Sequence, residues 1–404
     1  MQSAFSRRTL LKALAALGPA TVAGRVWAAP QTQARLLVVF LRGAYDAANV
    51  VIPIGSDFYY QSRPTLAVPR PGSDPAKGIA EAIALDGDWG MHPALSASIL
   101  PLWQKKQIAF VPFAGTDDLT RSHFETQDTI ELGQPVGGTR NYQSGFMARL
   151  AGVLTETRPI AFTDQLPLVF HGGETPIPNV GLNAVGKPAL DGRQVALISK
   201  LYQDDPLSAS VAEGFHVRDD VYQSISRESA AANRNAVSPK GFELSARRIA
   251  RLMRGGYNLG FVDVGGWDTH VNQGGSSGYL ADRLTELGRG LAGFADEIGP
   301  EVWRDTVVVV ISEFGRTFRE NGDKGTDHGH GSVYWVLGGG VRGGRIVGEQ
   351  VKVAQATLFQ NRDYPVLTDY RALFGGLLSR MYGLDQAALQ KVFAGIQPKD
   401  MTLV

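Results

Sequence analysis

Six short apolar runs alternate with helical patterns along this chain, and that alternation restricts the fold more than any other feature. Arg35 to Leu41 (RLLVVFL) is apolar after its first residue, Ile108 to Phe113 (IAFVPF) is a second run, and Leu166 to Phe170 is a weaker third. Tyr257 to Val264 (YNLGFVDV), Thr306 to Ile311 (TVVVVI) and Val333 to Leu337 (VYWVL) complete the set. A strand that is apolar at nearly every position must be covered on both faces, which is the environment of a parallel sheet. Between the runs, Ser96 to Gln104, Leu244 to Arg254 and Ala281 to Ile298 repeat apolar residues at helical spacing. In the last of these, Leu284, Leu287, Leu291 and Phe294 fall on one face. Gly255-Gly256 stops the second. The pattern predicts an α/β fold, a mostly parallel central sheet with helices on both faces.

Composition narrows the chemistry. The 404 residues carry 40 basic against 39 acidic side chains, so there is no long-range field to capture nucleic acid. There is no cysteine, which excludes disulfides, thiolate catalysis, cysteine-held clusters and sulfur-ligated zinc. The N-terminal stretch Ser6-Arg7-Arg8-Thr9-Leu10-Leu11-Lys12 precedes an apolar run from Ala13 to Ala23 and Val26-Trp27-Ala28. This is the pattern of a twin-arginine export signal, expected over residues 1–29. The mature chain is then one domain over residues 30–404, periplasmic or secreted, with the twin-arginine translocase as its partner during export. No later stretch reaches the roughly 18 apolar residues of a membrane span. The polar segment 204–240, rich in Ser, Ala and Asn, predicts a helical insert.

In a parallel sheet, ligands gather beyond the carboxyl ends of the strands. Arg42 and Asp46 follow the first run, and Ser122 and His123 come after the second. Asp268 and His270 follow the fourth, and Glu313 and Arg316 the fifth. Asp327, His328 and His330 stand just before the last. Of the 48 glycines, 23 fall between Gly255 and Gly348, among these loops. Carboxylates and imidazoles in tight glycine loops suit a divalent metal, and a pair of metals would clamp both oxygens of an in-line displacement. Each element has a plainer reading. Asp46 is equally a helix cap, Asp268 and His270 a turn, and Glu313 a buried partner of Arg316. Asp327, His328 and His330 are otherwise a solvated loop. Ser122 opens Ser-His-Phe-Glu125, a capping box as much as a nucleophile. His92, His171 and His216 read as structural, surface or packing residues.

The stretches LVVFLRGAYDAANVVIP, MHPAL, SHFETQD, GGWDTHVNQ, VVVVISEFGRTFRENG, GTDHGHGSVYWVLGGGVRGG and VLTDYRALF resemble the domain of unknown function 1501 family. That family is similar to the alkaline phosphatase, sulfatase and phosphoglycerate mutase superfamily, which implies an alkaline-phosphatase-like fold. The resemblance implies that Asp46 is the first metal aspartate and that Asp268 and His270 are an Asp…His metal pair. Glu313 stands for the aspartate of an Asp-His-Gly strand end. His330, with Asp327 and His328 nearby, stands for the later metal histidine, and Ser122 for the nucleophile at a helix start. Phe314 replaces the usual histidine, so either His328 or His123 substitutes or one metal binds. The sulfatase signature is absent, since Ser73-Asp74-Pro75-Ala76 is followed by Lys77.

The implied function is an exported hydrolase of phosphate or sulfate esters, dependent on a divalent zinc, manganese, magnesium or calcium ion. Ser122 attacks a small anionic ester, activated by the metals or by His123. Arg42 or Arg316 stabilises charge on the equatorial oxygens. The alternatives are a binding or assembly protein that keeps the fold, or a phosphotransferase.

Overall fold

The structure is a computed structural model that describes residues 34–73, 79–173, 176–182, 192–215 and 241–404. The expected export signal, Asp74 to Lys77, His216 and the remainder of the expected insert from residue 216 to 240 lie outside the described residues. The part of that insert which is described is helical over 208–215.

The eight strands β1 (Arg35–Leu41), β2 (Ile108–Gly115), β3 (Pro159–Ala161), β4 (Leu259–Val264), β5 (Thr306–Ser312), β6 (Ser332–Leu337), β7 (Arg345–Ile346) and β8 (Thr368–Asp369) form one sheet. Its order is β7-β2-β6-β5-β1-β4-β3, with β8 also on β2. β1 is parallel to β4 and β5, β3 to β4, and β7 and β8 to β2. Only β6 is reversed, antiparallel to both β2 and β5. This reversal decides what reaches the site. The residues that precede β6 leave the sheet at the edge where β1, β2, β4 and β5 end.

The helices that matter are α1 (Ile99–Gln104), α2 (His123–Leu132), α3 (Phe146–Val153), α4 (Phe242–Arg254), α5 (Tyr279–Ile298) and α6 (Tyr370–Tyr382). Alternation along β1 divides the core. Leu37, Val39 and Leu41 join Ile249 and Met253 of α4 and Leu284, Leu287 and Leu291 of α5. Leu36, Val38 and Phe40 join Phe146 and Leu150 of α3 and Phe374 and Leu377 of α6. Each such side chain contributes about 1.5–3 kcal/mol on full burial, so both faces of β1 anchor it firmly.

Two details differ from the sequence reading. The third strand is Pro159–Ala161, whereas Leu168–Phe170 forms a 3-10 turn. Pro167 has no N–H to give a ladder at the start of that run, while Pro159 is tolerated as the first residue of an edge strand. A small antiparallel sheet of Val51–Ile52, Gly90–Met91 and Ile83–Ala84 also forms, from segments too short to carry a periodic signal. Among the described residues, no helix is long and apolar enough to cross a membrane.

Candidate metal centre

The site assembles at the carboxyl edge of the sheet from four loops. His123 is the first residue of α2, directly after Ser122 at the helix N-cap. Asp268 and His270 lie on the loop after β4. That loop is pinned by buried Trp267, whose Nε1–H donates to the Val264 carbonyl at 2.9 Å. Between the two, Thr269 donates to Gln273 Oε1 at 2.6 Å, fixing the turn. Glu313 follows β5 immediately, and His328 lies in the loop before β6. Gly43 closes in from the end of β1 with φ +114°, and a Cβ there would lie 2.7 Å from the Asp268 backbone nitrogen.

His123, Asp268 and His328 bring ligand atoms within 4.8 Å of one another, and His270 adjoins His328 and Asp268. His123 Nε2 and His328 Nε2 are 2.9 Å apart, and His270 Nε2 and His328 Nε2 3.1 Å. Asp268 Oδ1 lies 2.9 Å from His270 Nε2 and 3.4 Å from His328 Nε2, and Asp268 Oδ2 lies 3.5 Å from His123 Nε2. On the far side of each ring, Nδ1 faces an acceptor. His123 Nδ1–H donates to Glu313 Oε1 at 2.7 Å, His328 Nδ1–H to the Arg121 carbonyl at 2.9 Å, and His270 Nδ1–H to Asp327 Oδ1 at 3.2 Å. Each Nδ1 thus has an acceptor of its own, which favours a proton on Nδ1 and leaves Nε2 facing the cluster. Ring nitrogens that face one another across about 3 Å need a cation or a shared proton between them. The donor chemistry therefore fits a metal ion.

The outer layer is dry on one side. Glu313 is fully buried and its Oε1 accepts from His123, the Gly43 N–H at 2.8 Å and Gln127 Nε2 at 2.9 Å. Ser312 Oγ donates to Oε2 at 2.9 Å. Burial works to raise the Glu313 pKa, but the hydrogen bonds from His123, Gln127 and Gly43 outweigh it and hold the carboxyl below its ordinary value. Burial opposes ionisation of Asp268 as well, and the Arg316 guanidinium at 2.6 Å prevails and lowers its pKa. Phe314 stacks on His123 with centroids 5.0 Å apart and lies 5.3 Å from the His328 ring. It thus walls two of the imidazoles. Arg121 has a left-handed φ of +52°, a strained conformation for a side-chain-bearing residue, in the turn that gives His328 its carbonyl partner. The opposite side is wet, with Asp268, His270 and Asp327 side chains 43, 40 and 51% exposed.

The remaining candidates from the sequence sit elsewhere or act differently. Asp46 is not at the cluster. It is buried, and both its oxygens are taken by Arg63, with Gln273 Nε2 donating to Oδ2 at 2.6 Å. His330 turns away against Phe359, 4.9 Å between rings, and burial pushes it down to about 4. Glu313 and Asp327 hold imidazoles rather than meeting in the centre. Arg42 is engaged by Asp263 at 2.7 Å, Gln127 at 2.9 Å and Glu131 at 2.8 Å. Arg316 donates to Asp268, to Thr326 Oγ1 at 3.2 Å and to the Thr326 carbonyl. Both guanidiniums are thus paired with carboxylates, Arg316 buried and Arg42 with 25% of its side chain exposed. His123 belongs to the cluster itself, with its Nε2 toward His328 and Asp268.

Ser122 is half-buried at the α2 N-cap, and its hydroxyl makes no capping hydrogen bond, so the capping box does not form. His92 is structural, accepting from Ala94 N–H at 3.1 Å and donating to the Gly275 carbonyl at 2.9 Å. His171 is a loop residue near the Tyr142 carbonyl. Sequence reading missed Gln127 and Arg63. Gln127 follows His123 by four helical residues, a spacing that puts both on one face. Nothing in the sequence marks Arg63.

Fold and cluster together define an α/β protein with a histidine-rich, carboxylate-supported centre at the carboxyl edge of its sheet. The chain belongs to the family described as protein of unknown function (DUF1501), which it matches over residues 33–393. No curated protein matches it. Among solved structures it is similar to a protein in the alkaline phosphatase superfamily from Vibrio parahaemolyticus, at 14% identity. That match covers 88% of this chain and 68% of that one, with a TM-score of 0.37. It is also similar to the lipoteichoic acid synthase LtaP from Listeria monocytogenes, at 9% identity, 91% and 75% coverage and a TM-score of 0.40. A third is Ps i-CgsB in complex with k-i-k-neocarrahexaose, at 10% identity, 91% and 75% coverage and a TM-score of 0.41.

Proposed function

We propose that the chain is an exported, metal-dependent hydrolase of sulfate or phosphate esters whose ion is held by His123, Asp268 and His328, with His270 beside them. One observation carries the reading: His123, His328 and the Asp268 carboxylate bring ligand atoms within 4.8 Å of one another, with His270 beside His328 and Asp268, and each ring held by its own Nδ1 partner. A divalent ion bound there supplies Lewis-acid stabilisation of charge on the ester oxygens. Glu313, Asp327 and the Arg121 carbonyl keep the three Nδ1 protons in place, and Arg316 orients Asp268. Ser122, next to His123 and with its hydroxyl outside any capping bond, is the candidate nucleophile. The wet side formed by Asp268, His270 and Asp327 is the approach for substrate.

Charge supports a particular ester. Asp268, Glu313 and Asp327 balance Arg316 and a divalent ion, which leaves the centre neutral. Arg42 and Arg316 are committed to carboxylates. Singly charged esters, sulfate monoesters or phosphodiesters, suit such a centre better than dianionic phosphomonoesters. The test is turnover of aryl sulfates, bis-aryl phosphates and aryl phosphates by wild type, Ser122→Ala and Asp268→Asn, before and after chelation. Activity that is lost on chelation, restored by metal and abolished in Asp268→Asn is expected. Equal background rates in all three proteins would sink the hydrolase reading.

A further inference from the structure

We infer that Arg42 is a positioning residue for the cluster: its guanidinium ties the helix that carries His123 to the strand whose loop carries Asp268, and so holds these two side chains in register. The inference rests on the metal-centre part of the proposed function and adds the residue that aligns it. Arg42 directly follows β1, which lies between β4 and β5 in the sheet. Its backbone N–H donates to the carbonyl of Val264, the last residue of β4, at 2.9 Å. Its Nε donates to Asp263 Oδ2 of the same strand at 2.7 Å. The rest of the fork reaches α2, with Nη1 on Gln127 Oε1 at 2.9 Å and Nη2 on Glu131 Oε1 at 2.8 Å.

Helical spacing turns these contacts into control of His123. His123, Gln127 and Glu131 follow one another at intervals of four, so they share one face of α2. A fork that grips two successive turns of that face fixes the rotation of the helix about its own axis. The first turn, with His123, then points where the next two dictate. The guanidinium is itself held, with its carbon 4.8 Å from the centroid of the buried Phe40 ring.

The sense of each hydrogen bond is fixed as well. A guanidinium donates and cannot accept. Gln127 therefore turns Oε1 to Arg42, which turns its Nε2 to Glu313 Oε1 at 2.9 Å. Glu313 Oε1 in turn accepts from His123 Nδ1 at 2.7 Å. Neutralising Glu131 and Asp263 does not by itself require arginine, because a lysine ammonium balances the same charge. What lysine lacks is the rigid planar fork that holds helix and strand at once.

The experiment compares the purified full-length chain with Arg42→Lys, Gln127→Met and the double variant, each with wild-type far-UV circular dichroism. Cobalt(II) affinity is measured in competition with a chelator, and amide hydrogen exchange is measured on the metal-free protein. Arg42→Lys should weaken cobalt binding about 10-fold or more, within the range of outer-layer substitutions. Its amide exchange should rise at least about tenfold across residues 127–132 of α2 and stay unchanged in α5. Both substitutions loosen one path, so the double variant should lose at least about threefold less than the product of the single losses. Gln127→Met carries the same two expectations if Arg42→Lys does not fold. Cobalt affinity of Arg42→Lys within about twofold of wild type, unchanged exchange in α2, or single losses that multiply in full would each overturn the inference. A wild type that binds no cobalt, with α2 exchange still raised in Arg42→Lys, would remove the metal-centre reading and leave the clamp standing.

Discussion

Arg63 is the residue whose loss should cost the fold most for its size. Its guanidinium has five N–H donors, and all five are used. Nε donates to the Phe318 carbonyl at 2.7 Å, Nη1 to Asp46 and to Asn49 Oδ1 at 2.8 Å, and Nη2 to Asp46 Oδ1 and the Thr317 carbonyl, both at 3.0 Å. The side chain is wholly buried and Asp46 is 1% exposed. Arg63→Met keeps the length of the side chain and removes its charge. Asp46 is then a buried carboxylate with only Gln273 beside it, and two backbone carbonyls lose their donor. Breaking a buried pair in this way costs about 3–5 kcal/mol, a large share of the about 5–15 kcal/mol that holds a typical protein together. Equilibrium urea unfolding followed by circular dichroism measures the loss as a shift in midpoint at constant slope. The double variant Arg63→Met with Asp46→Leu removes both charges and should recover at least half of the loss, since apolar replacement of a buried pair is often neutral. A single-variant loss below about 1 kcal/mol, the range of exposed pairs, would refute the reasoning. So would a double variant no more stable than the single.

Glu313→Gln removes the charge behind His123 without changing its shape, and is expected to weaken divalent-metal binding about 10–100-fold in a chelator competition. Gly43→Ala adds a Cβ beside the Asp268 nitrogen at a left-handed φ, which costs about 1–2 kcal/mol from backbone strain alone and should lower the melting temperature. His92 supplies a pH dependence. Burial holds its pKa below the ordinary value of 6.5, so the unfolded chain protonates first as pH falls. Its stabilisation is fully present above about pH 6.5 and declines below it, by at most about 1.4 kcal/mol per pH unit. The difference in unfolding free energy between wild type and His92→Gln should therefore narrow from pH 7 to pH 5, and a constant difference would exclude the effect.

The sequence by itself determined the α/β class, because a run such as Thr306 to Ile311 can only be a strand buried on both faces. It also determined the donor atoms on offer, since an absence of cysteine and glycine-rich loops bearing Asp and His leave oxygen and nitrogen donors as the choice. It marked the family as well, through motifs from LVVFLRGAYDAANVVIP to VLTDYRALF. Tertiary structure alone decided which of these side chains come together. Side-chain direction and pairing across strands hundreds of residues apart are not written in spacing. Asp46 and Asp268 read alike in sequence, one acid per loop after a strand. Asp46 meets Arg63 in the dry core and is neutralised there, while Asp268 meets three imidazoles at a wet edge. His123 and His330 exchange places for the same reason. The start of α2 aims His123 into the cluster and Glu313 captures its far nitrogen, whereas His330 is packed against Phe359. The antiparallel course of β6, which no local pattern distinguishes from a parallel one, is what delivers His328 to the same edge.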